Sequence, residues 1–578
     1  MEDQPKRSWG ISQPISQAHP TEADLKLNEQ LLEALKRENN FESPEGQANR
    51  KKVLEHLQNV TLEFIRRASK AKGFAQSTID NSGGKIFTFG SYALGAFNPS
   101  SDIDTLLTAP KHIVVDDFFK HFPPTFREMS SPEDISEFNP VPTAYVPIIK
   151  MKFRGVSIDL LFVSLPSKTS IPPGPEFNLL DKNLLRGLDD QSMRSVNGTR
   201  VCKEILDAVP HHTPFRHALR AVKLWAERRG IYGNVFGYPG GVAWAIMVAR
   251  ICQLYPFACG ATILTKFFKL LENWQWPRPV MLKNYEEGAF GLKVWNSEIY
   301  PGDKAHLMPV LTPAFPSMCS THTITPSTKH MILQEFRTAD AIIGSVLYGK
   351  KSWTDLFGYH TFFTKDHKYY LSVIAACRTK EAQESFSGLV QSKVRGIVKG
   401  IDEGQAGVEI ARPFPHEFRR VHRCKTEDQI DEICQGKMNW HVAGKDVAEN
   451  GTNAEPEQFV VYTTTWYIGL TLPEGEQKSL DISYPVASFK GAVTTASTYD
   501  PETMSVKVVH TRNHQLPDDV FRPGETRPVK PVKEKRKKAQ TKSTKRSFAE
   551  TGLDDSEHVP AKRRESVNAH GLSHATPA

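Results

Sequence analysis

A multidomain chain of mixed class is predicted: an α/β first domain, a mostly helical middle, an α+β third domain and a disordered basic tail. Three observations carry this. Short strand-like runs cluster between residues 85 and 163, helical periodicity takes over from Thr213 to Tyr348, and strands return from about Ser352. The 578 residues suit three or four domains at about 150 residues each. With 39% hydrophobic and 24% charged residues the chain is neither wholly disordered nor fibrous.

Residues 1–20 are polar and read as a flexible arm. Thr21-x-x-Asp24 resembles a capping box, and Leu25, Leu27, Leu31, Leu32 and Leu35 follow at near-helical spacing. A second helix is predicted over Pro44 to Ala71, with Val53, Leu54, Leu57, Val60, Phe64 and Ile65 on one stripe. Asn81-Ser-Gly-Gly84 breaks that pattern. Lys85 to Phe89 and Ile103 to Leu107 are strands, and Ile148–Phe153 and Val156–Val163 pair around Arg154-Gly155. Thr213 is placed as a helix N-cap with Pro214 at the first helical position. Gly241 to Leu254 is almost wholly apolar, too short for a bilayer and therefore a core helix. Lys329 to Tyr348 is helical again. In the third domain Tyr369–Cys377, Gly407–Ala411, Phe459–Leu472 and Leu480–Ala487 are predicted strands, with a helix over Leu389–Val398 and a polar loop over Val442–Gln458. Strands with few helices suggest a ferredoxin-like sandwich. The domain limits are 1–20, 21–212, 213–352, 353–521 and 522–578, and the helices of 21–71 are candidates to pack on the central domain.

From Arg522 onward there are 14 basic and 7 acidic residues, so the body is nearly neutral, with 59 basic against 58 acidic. The basic balance belongs to the tail, where Lys533–Lys538, Lys542–Arg546 and Lys562–Arg564 read as nuclear localisation or unspecific RNA contact. There is no apolar run of 18 residues and no apolar leader at the start, so no membrane association is expected. The seven cysteines show no C-x-x-C pair and read as reduced buried thiols. Gly344–Lys351 only approaches a phosphate-loop pattern and reads as a helix end. His211-His212 has no metal-ligand spacing.

The chemistry concentrates in Gly90-Ser91 and, ten residues on, Asp102-Ile103-Asp104. With Asp102 opening a strand, Asp102 and Asp104 project from one face about 7 Å apart at Cα. Two carboxylates so close repel unless a divalent cation joins them, and Mg²⁺ favours carboxylate and phosphate oxygens. A pair of such ions about 3.5–4 Å apart can clamp an in-line phosphoryl displacement. Gly90 admits a phosphate to the backbone and Ser91 offers hydroxyl and N–H donors. Asp159, a lone acid in the apolar strand Val156–Phe162, is the third carboxylate. Its alternative is a salt bridge to Lys150 or Lys152.

This pattern resembles the DNA polymerase beta-like nucleotidyltransferase superfamily. The strings GGKIFTFGSYALGAFNPSSDIDTLL, VPIIKMKFRGVSIDLLF, SVNGTRV, ALRAVKLWAERRGIYGNVFGYPGGVAWAIMVARICQLYP and MPVLTPAFPSMC resemble the eukaryotic nuclear poly(A) polymerases of fungal type. The resemblance is dense from about Ile11 to Trp353, thinner in the third domain and absent from the tail. It implies a nucleotidyltransferase domain, a helical central domain and an RRM-like third domain. It implies that Asp102, Asp104 and Asp159 hold two ions of Mg²⁺ or Mn²⁺ and are catalytic. It sets Phe89, Gly90 and Ser91 on the ATP phosphates with Lys223 and Tyr232 beside them, Asn197 near the sugar, and Gly241, Val242 and Met318 around adenine. Asn234 and Tyr145 fall near the nucleotides, with Tyr145 and Lys150 on the RNA side. Tyr145 stands where yeast-type relatives carry Phe, and Ala93 occupies a position that is basic there. Lys393, Arg395 and Lys399, or Arg419-Arg420, are candidate RNA contacts whose alternative is ordinary solvated charge.

The implied activity is template-independent transfer of AMP from ATP to RNA 3′ ends. The implied partners are RNA and subunits of the cleavage and polyadenylation complex, around a monomeric nuclear catalytic subunit. Two alternatives stand beside it: a terminal transferase of other base preference, such as uridylyl, and a catalytically dead scaffold.

Overall fold

The computed structural model describes residues 9–142, 146–286, 290–404, 406–442, 459–473 and 481–530. Tyr145, the first eight residues of the predicted arm, nearly all of the 442–458 loop and the tail's basic clusters lie outside them.

The first domain is a five-stranded sheet with helices on it. In chain order come α1 (Glu22–Arg37), α2 (Pro44–Ala71), α3 (Gln76–Ser82), β1 (Lys85–Phe89), α4 (Gly90–Leu94), β2 (Ile103–Pro110), α5 (Val115–Met129), β3 (Ile135–Val141), β4 (Ile148–Phe153), β5 (Val156–Leu165) and α6 (Asp190–Ala208). The strand order is β1-β2-β5-β4-β3, with β2 and β5 parallel and the other pairs antiparallel. Thr21 and Asp24 close the capping box of α1 as expected. Arg154 and Gly155 both take positive φ (50° and 73°), which a two-residue turn between β4 and β5 requires. The apolar stripe of α2 packs with Phe118, Phe122 and Phe126 of α5 over Ile103, Leu107, Ile158 and Leu160. The helices of 21–71 therefore divide. α2 belongs to the sheet's core, whereas α1 buries Leu31, Ala34 and Leu35 in the central domain's core.

The central domain holds α7 (His212–Arg228), α8 (Gly241–Leu254), α9 (Gly260–Glu272), α10 (Pro301–Lys304), α11 (Pro326–Leu347) and α12 (Trp353–Leu356). α8 is buried along nearly its whole length, as its composition demands. α7 begins two residues earlier than predicted, with His211 as N-cap, so Thr213 is inside the first turn. Residues of the predicted flexible arm are tied down: Ile15 N donates to Leu254 O at 2.9 Å and His19 stacks on Phe257. A polar composition did not reveal these contacts because they are made by backbone and ring groups.

The third domain comprises β6 (Tyr369–Cys377), α13 (Lys380–Glu403), β7 (Ile410–Pro413), β8 (Phe418–Cys424), α14 (Glu427–Cys434), β9 (His441–Val442), β10 (Phe459–Thr471), α15 (Ser483–Thr494) and β11 (Met504–Arg512). Its antiparallel sheet runs β11-β6-β10-β8-β9, the ferredoxin-like order with an added edge. The strand predicted over Leu480–Ala487 is wrong. Ser483–Thr494 is a helix, and Val486, Phe489 and Val493 bury against the same core as α13. Its short apolar run fits either period, and tertiary packing decides.

All seven cysteines are buried free thiols. Among the described residues no helix is long and apolar enough to cross a membrane. The near-phosphate-loop string is the end of α11, closed by Gly349 at φ 69°.

Candidate active site

Strand register builds the site. Phe89 of β1 lies opposite Asp104 of β2, Asp104 opposite Asp159 of β5, and Asp159 opposite Lys150 of β4. Residues in register share a face, so a row of one aromatic ring, two acids and a lysine crosses the sheet. Asp102, just before β2, adds the third acid. Its turn is held by Asn98, whose Oδ1 accepts from Ser100 N and Ser101 Oγ at 3.0 Å each, and by Arg50, which donates to Pro99 O at 3.1 Å. Ile103 between the acids points into the core and is fully buried.

Carboxylate oxygens of Asp102, Asp104 and Asp159 all lie within 4.8 Å of one another. Lys150 Nζ reaches Asp159 at 3.4 Å, so the salt bridge considered from sequence also forms, but one exposed lysine does not neutralise three acids. Burial first, then the charges of Asp102 and Asp159, push the Asp104 carboxyl up to about 7, against the pull of Lys223 and Lys150. Such a cluster fits a hard divalent cation that relieves the repulsion. The backbone makes room for it. Gly90 has φ 66°, and a Cβ there would lie 2.0 Å from Asp104 Oδ2.

Above the acids opens a cavity of about 600 Å³ between the first and central domains. Phe89, Gly90, Ser91, Asp102, Asp104 and Asn197 line it from one side, and Lys223, Glu227, Tyr232, Gly241, Val242 and Thr312 from the other. Its size suits a nucleotide. Helix α7 is tied to the loop after α4 by carbonyl contacts. Arg216 donates to Leu94 O at 3.2 Å, Arg220 to Gly95 O at 3.1 Å and to Asn40 O, and Lys223 to Ala96 O at 3.3 Å. Burial lowers the Lys223 ammonium, with Glu227, Asp102 and Asp104 opposing. Burial raises the Tyr232 phenol, reinforced by Glu227, Asp104 and Asp102. Only glycine fits at 241, since a Cβ would stand 2.7 Å from Tyr232 Oη.

Of the residues singled out from sequence, the cavity lining gathers Phe89, Gly90, Ser91, Asp102, Asp104, Asn197, Lys223, Tyr232, Gly241 and Val242, and Asp159 adjoins it through the acid cluster. Asn234 and Met318 are outside the lining. Asn234 Oδ1 instead accepts from Thr323 Oγ1 at 2.6 Å, and Met318 is half exposed at the base of a loop closed on Thr312. Arg395 makes a contact within the protein. It is half-buried and donates to Asn234 O at 3.4 Å across the contact between central and third domains. Arg420 is buried in a bidentate pair with Asp519 at 2.7 and 3.0 Å, whereas Arg419 stays partly exposed while paired with Glu384 and Glu417. Lys399 is exposed beside Glu403, and Lys393 is half-buried on the same helix. Sequence reasoning passed over Glu227, Thr312 and Arg200. Glu227 was legible as the residue one helical turn after Lys223. Thr312 and Arg200 carried no such signal.

Three family models match the chain: the poly(A) polymerase nucleotidyltransferase domain over residues 10–209, the poly(A) polymerase central domain over 214–359, and the poly(A) polymerase predicted RNA binding domain over 361–530. Poly(A) polymerase pla1 of Schizosaccharomyces pombe is 44% identical over 546 residues, covering 90% of this chain and 95% of that protein. Poly(A) polymerase PAPa of Candida albicans is 42% identical over 552 residues, covering 93% and 98%. A solved structure of Cid1, an RNA terminal uridylyl transferase, covers 58% of this chain and 99% of its own at 16% identity and a TM-score of 0.39.

Proposed function

The chain belongs to the poly(A) polymerase family, and from that premise we propose that the 600 Å³ cavity binds ATP and adds its AMP to the 3′ end of RNA without a template, releasing pyrophosphate. The observation that carries this reading is the convergence of Asp102, Asp104 and Asp159 at the cavity's acidic edge.

Asp102, Asp104 and Asp159 would hold two Mg²⁺ or Mn²⁺ ions. Bound there, such ions supply charge neutralisation for the attacking and leaving oxygens of an in-line displacement. The chain's own residues do the positioning. Ser91, through hydroxyl and backbone N–H, and Lys223, as a point charge, hold the triphosphate. Tyr232 keeps its phenol protonated and donates to the same phosphates. Phe89 and Gly90 border the phosphates beside Ser91, Asn197 stands near the sugar, and the Gly241–Val242 turn at the start of α8 walls the base. Half-buried between two domains, this pocket excludes water from the transferring phosphorus. Base choice rests on pocket shape, because nothing in the reaction supplies a template.

The substrates are ATP and an RNA 3′ end, the latter engaged by the third domain through Lys393 and Lys399 and by Lys150 beside Asp159, with Tyr145 carried as an RNA contact by the family resemblance alone. The subunit acts as a monomer in the nucleus, addressed there by the basic tail and recruited by subunits of the cleavage and polyadenylation complex. Incubation of an oligo(A) primer with each nucleoside triphosphate tests the activity. Preferential extension by ATP, lost in Asp104→Ala, is expected. Preferred UTP incorporation would overturn the base assignment, and an Asp104→Ala protein as active as wild type would overturn the metal site.

A further inference from the structure

Arg200, on α6, is a buried cation whose direct partners are not acids. It is 2% exposed, and its hydrogen-bond acceptors are carbonyl and amide oxygens, with Glu204 and Asp181 acting on it only electrostatically. Burying a guanidinium this way is costly unless its donors are met, and here oxygens from three segments meet them. Its Nε donates to Leu179 O at 2.8 Å, and its Nη1 donates to Asn197 Oδ1 at 3.3 Å and to Phe315 O.

Each acceptor bears on the nucleotide cavity. Asn197 lines it, three residues before Arg200 on the same helix. Phe315 is the tip of a loop from the central domain. At the loop's base Thr312 N donates to Met318 O and Met318 N to Thr312 Oγ1, both at 2.9 Å, and Thr312 lines the cavity. The Phe315 ring buries in the catalytic domain's second core, among Leu106, Val163 and Val196. One guanidinium thus joins the sugar-facing wall to the loop that closes the opposite side.

The polarity of the Asn197 amide follows. An arginine offers donors only, so Oδ1 must face it, and Nδ2 is the group left for a ligand. We propose that Arg200 is a positioning residue for nucleotide recognition: it fixes Asn197 with Nδ2 toward the cavity and pins the 312–318 loop against the catalytic domain, coupling sugar recognition in one domain to pocket closure by the other. This rests on the reading of the cavity as an ATP site with Asn197 beside the sugar.

First-addition rates on an oligo(A) primer, with ATP, 2′-dATP and 3′-dATP, test the proposal in wild type, Asn197→Ala, Arg200→Met, Arg200→Lys and the Asn197→Ala/Arg200→Met double variant. Asn197→Ala identifies the hydroxyl contacted, as the analogue whose kcat/KM disadvantage against ATP shrinks, by about tenfold for one hydrogen bond. Arg200→Met is expected to shrink the same disadvantage, to raise the KM for ATP more than it lowers kcat, and to add nothing further in the double variant. Arg200→Lys, which keeps the charge and its donors on a single nitrogen without the guanidinium fork, restores part of it. Should Arg200→Met fail to fold, the Arg200→Lys ratio alone decides, and a ratio equal to wild type overturns the proposal. An Arg200→Met ratio within twofold of wild type, or a double variant whose loss is the product of the two singles, overturns it as well. Failure of wild type to use ATP would sink the parent reading instead, and an Asn197→Ala ratio equal to wild type would sink the sugar assignment.

Discussion

Two charged regions of this molecule are built on opposite principles. At the edge of the cavity Asp102, Asp104 and Asp159 crowd within 4.8 Å, and among the described residues the ion pair they make is with exposed Lys150. On the third domain's sheet Arg420 is more deeply buried yet fully answered: Asp519 takes it bidentately, and Thr465 Oγ1 and Tyr467 Oη lie at 2.9 and 3.2 Å. The first arrangement is repulsive by itself, and a bound cation would relieve it. The second is complete and holds the 518–520 turn onto the sheet. Unanswered charge marks the chemistry, and answered charge marks the framework.

The largest effect that can break this contrast is on turnover. Asp104→Asn is expected to reduce AMP addition by at least about 10³-fold, while raising the thermal midpoint of the metal-free protein, because a repulsive charge is gone. A drop in midpoint would place Asp104 with the framework instead. Arg420→Met should do the reverse. Breaking a buried pair costs about 3–5 kcal/mol. Asp519 keeps about a third of its side-chain exposure, so roughly 2–3 kcal/mol is expected here, or a midpoint roughly 5–10 °C lower for the third domain. The rate per folded molecule in primer extension should hold.

A pH series sharpens the same contrast. The Asp104 carboxyl titrates at about 7 in the folded metal-free chain against an ordinary 3.8. The folded state therefore holds an extra proton between those values. That contribution is complete below 3.8 and is lost as pH rises through 7. A divalent cation competes with the proton. The gain in thermal midpoint on adding Mg²⁺ should grow from pH 5.5 to 8 and then level, and a gain independent of pH would contradict the assignment. The smallest effect belongs to Lys399, exposed beside Glu403 at 3.7 Å. Lys399→Gln should change stability by less than about 0.5 kcal/mol. A severalfold rise in the KM for RNA would place Lys399 in the RNA path, and an unchanged KM would leave it a solvated charge.

Much of this was legible along the chain. The two acids of Asp102-Ile103-Asp104 share a face because strand side chains alternate, and Asp159 stood out as a charge in an apolar strand. The helix over Gly241–Leu254 followed from composition alone. The Ser483–Thr494 helix did not, since a short apolar run has no period of its own to declare. Nor did the partners of Arg395 and Arg420 within the fold, since a lone arginine in sequence looks the same whether it meets RNA, a carbonyl or an acid.

The sequence alone determined which residues could bind metal and phosphate, since residue type and strand alternation are local properties. Only the tertiary structure decided which of them meet. The register of β2 on β5 brings Asp104 beside Asp159, and the packing of the central domain carries Lys223 and Tyr232 over them. Those are contacts between segments far apart in the chain, fixed by burial of apolar faces that no single stretch of sequence contains.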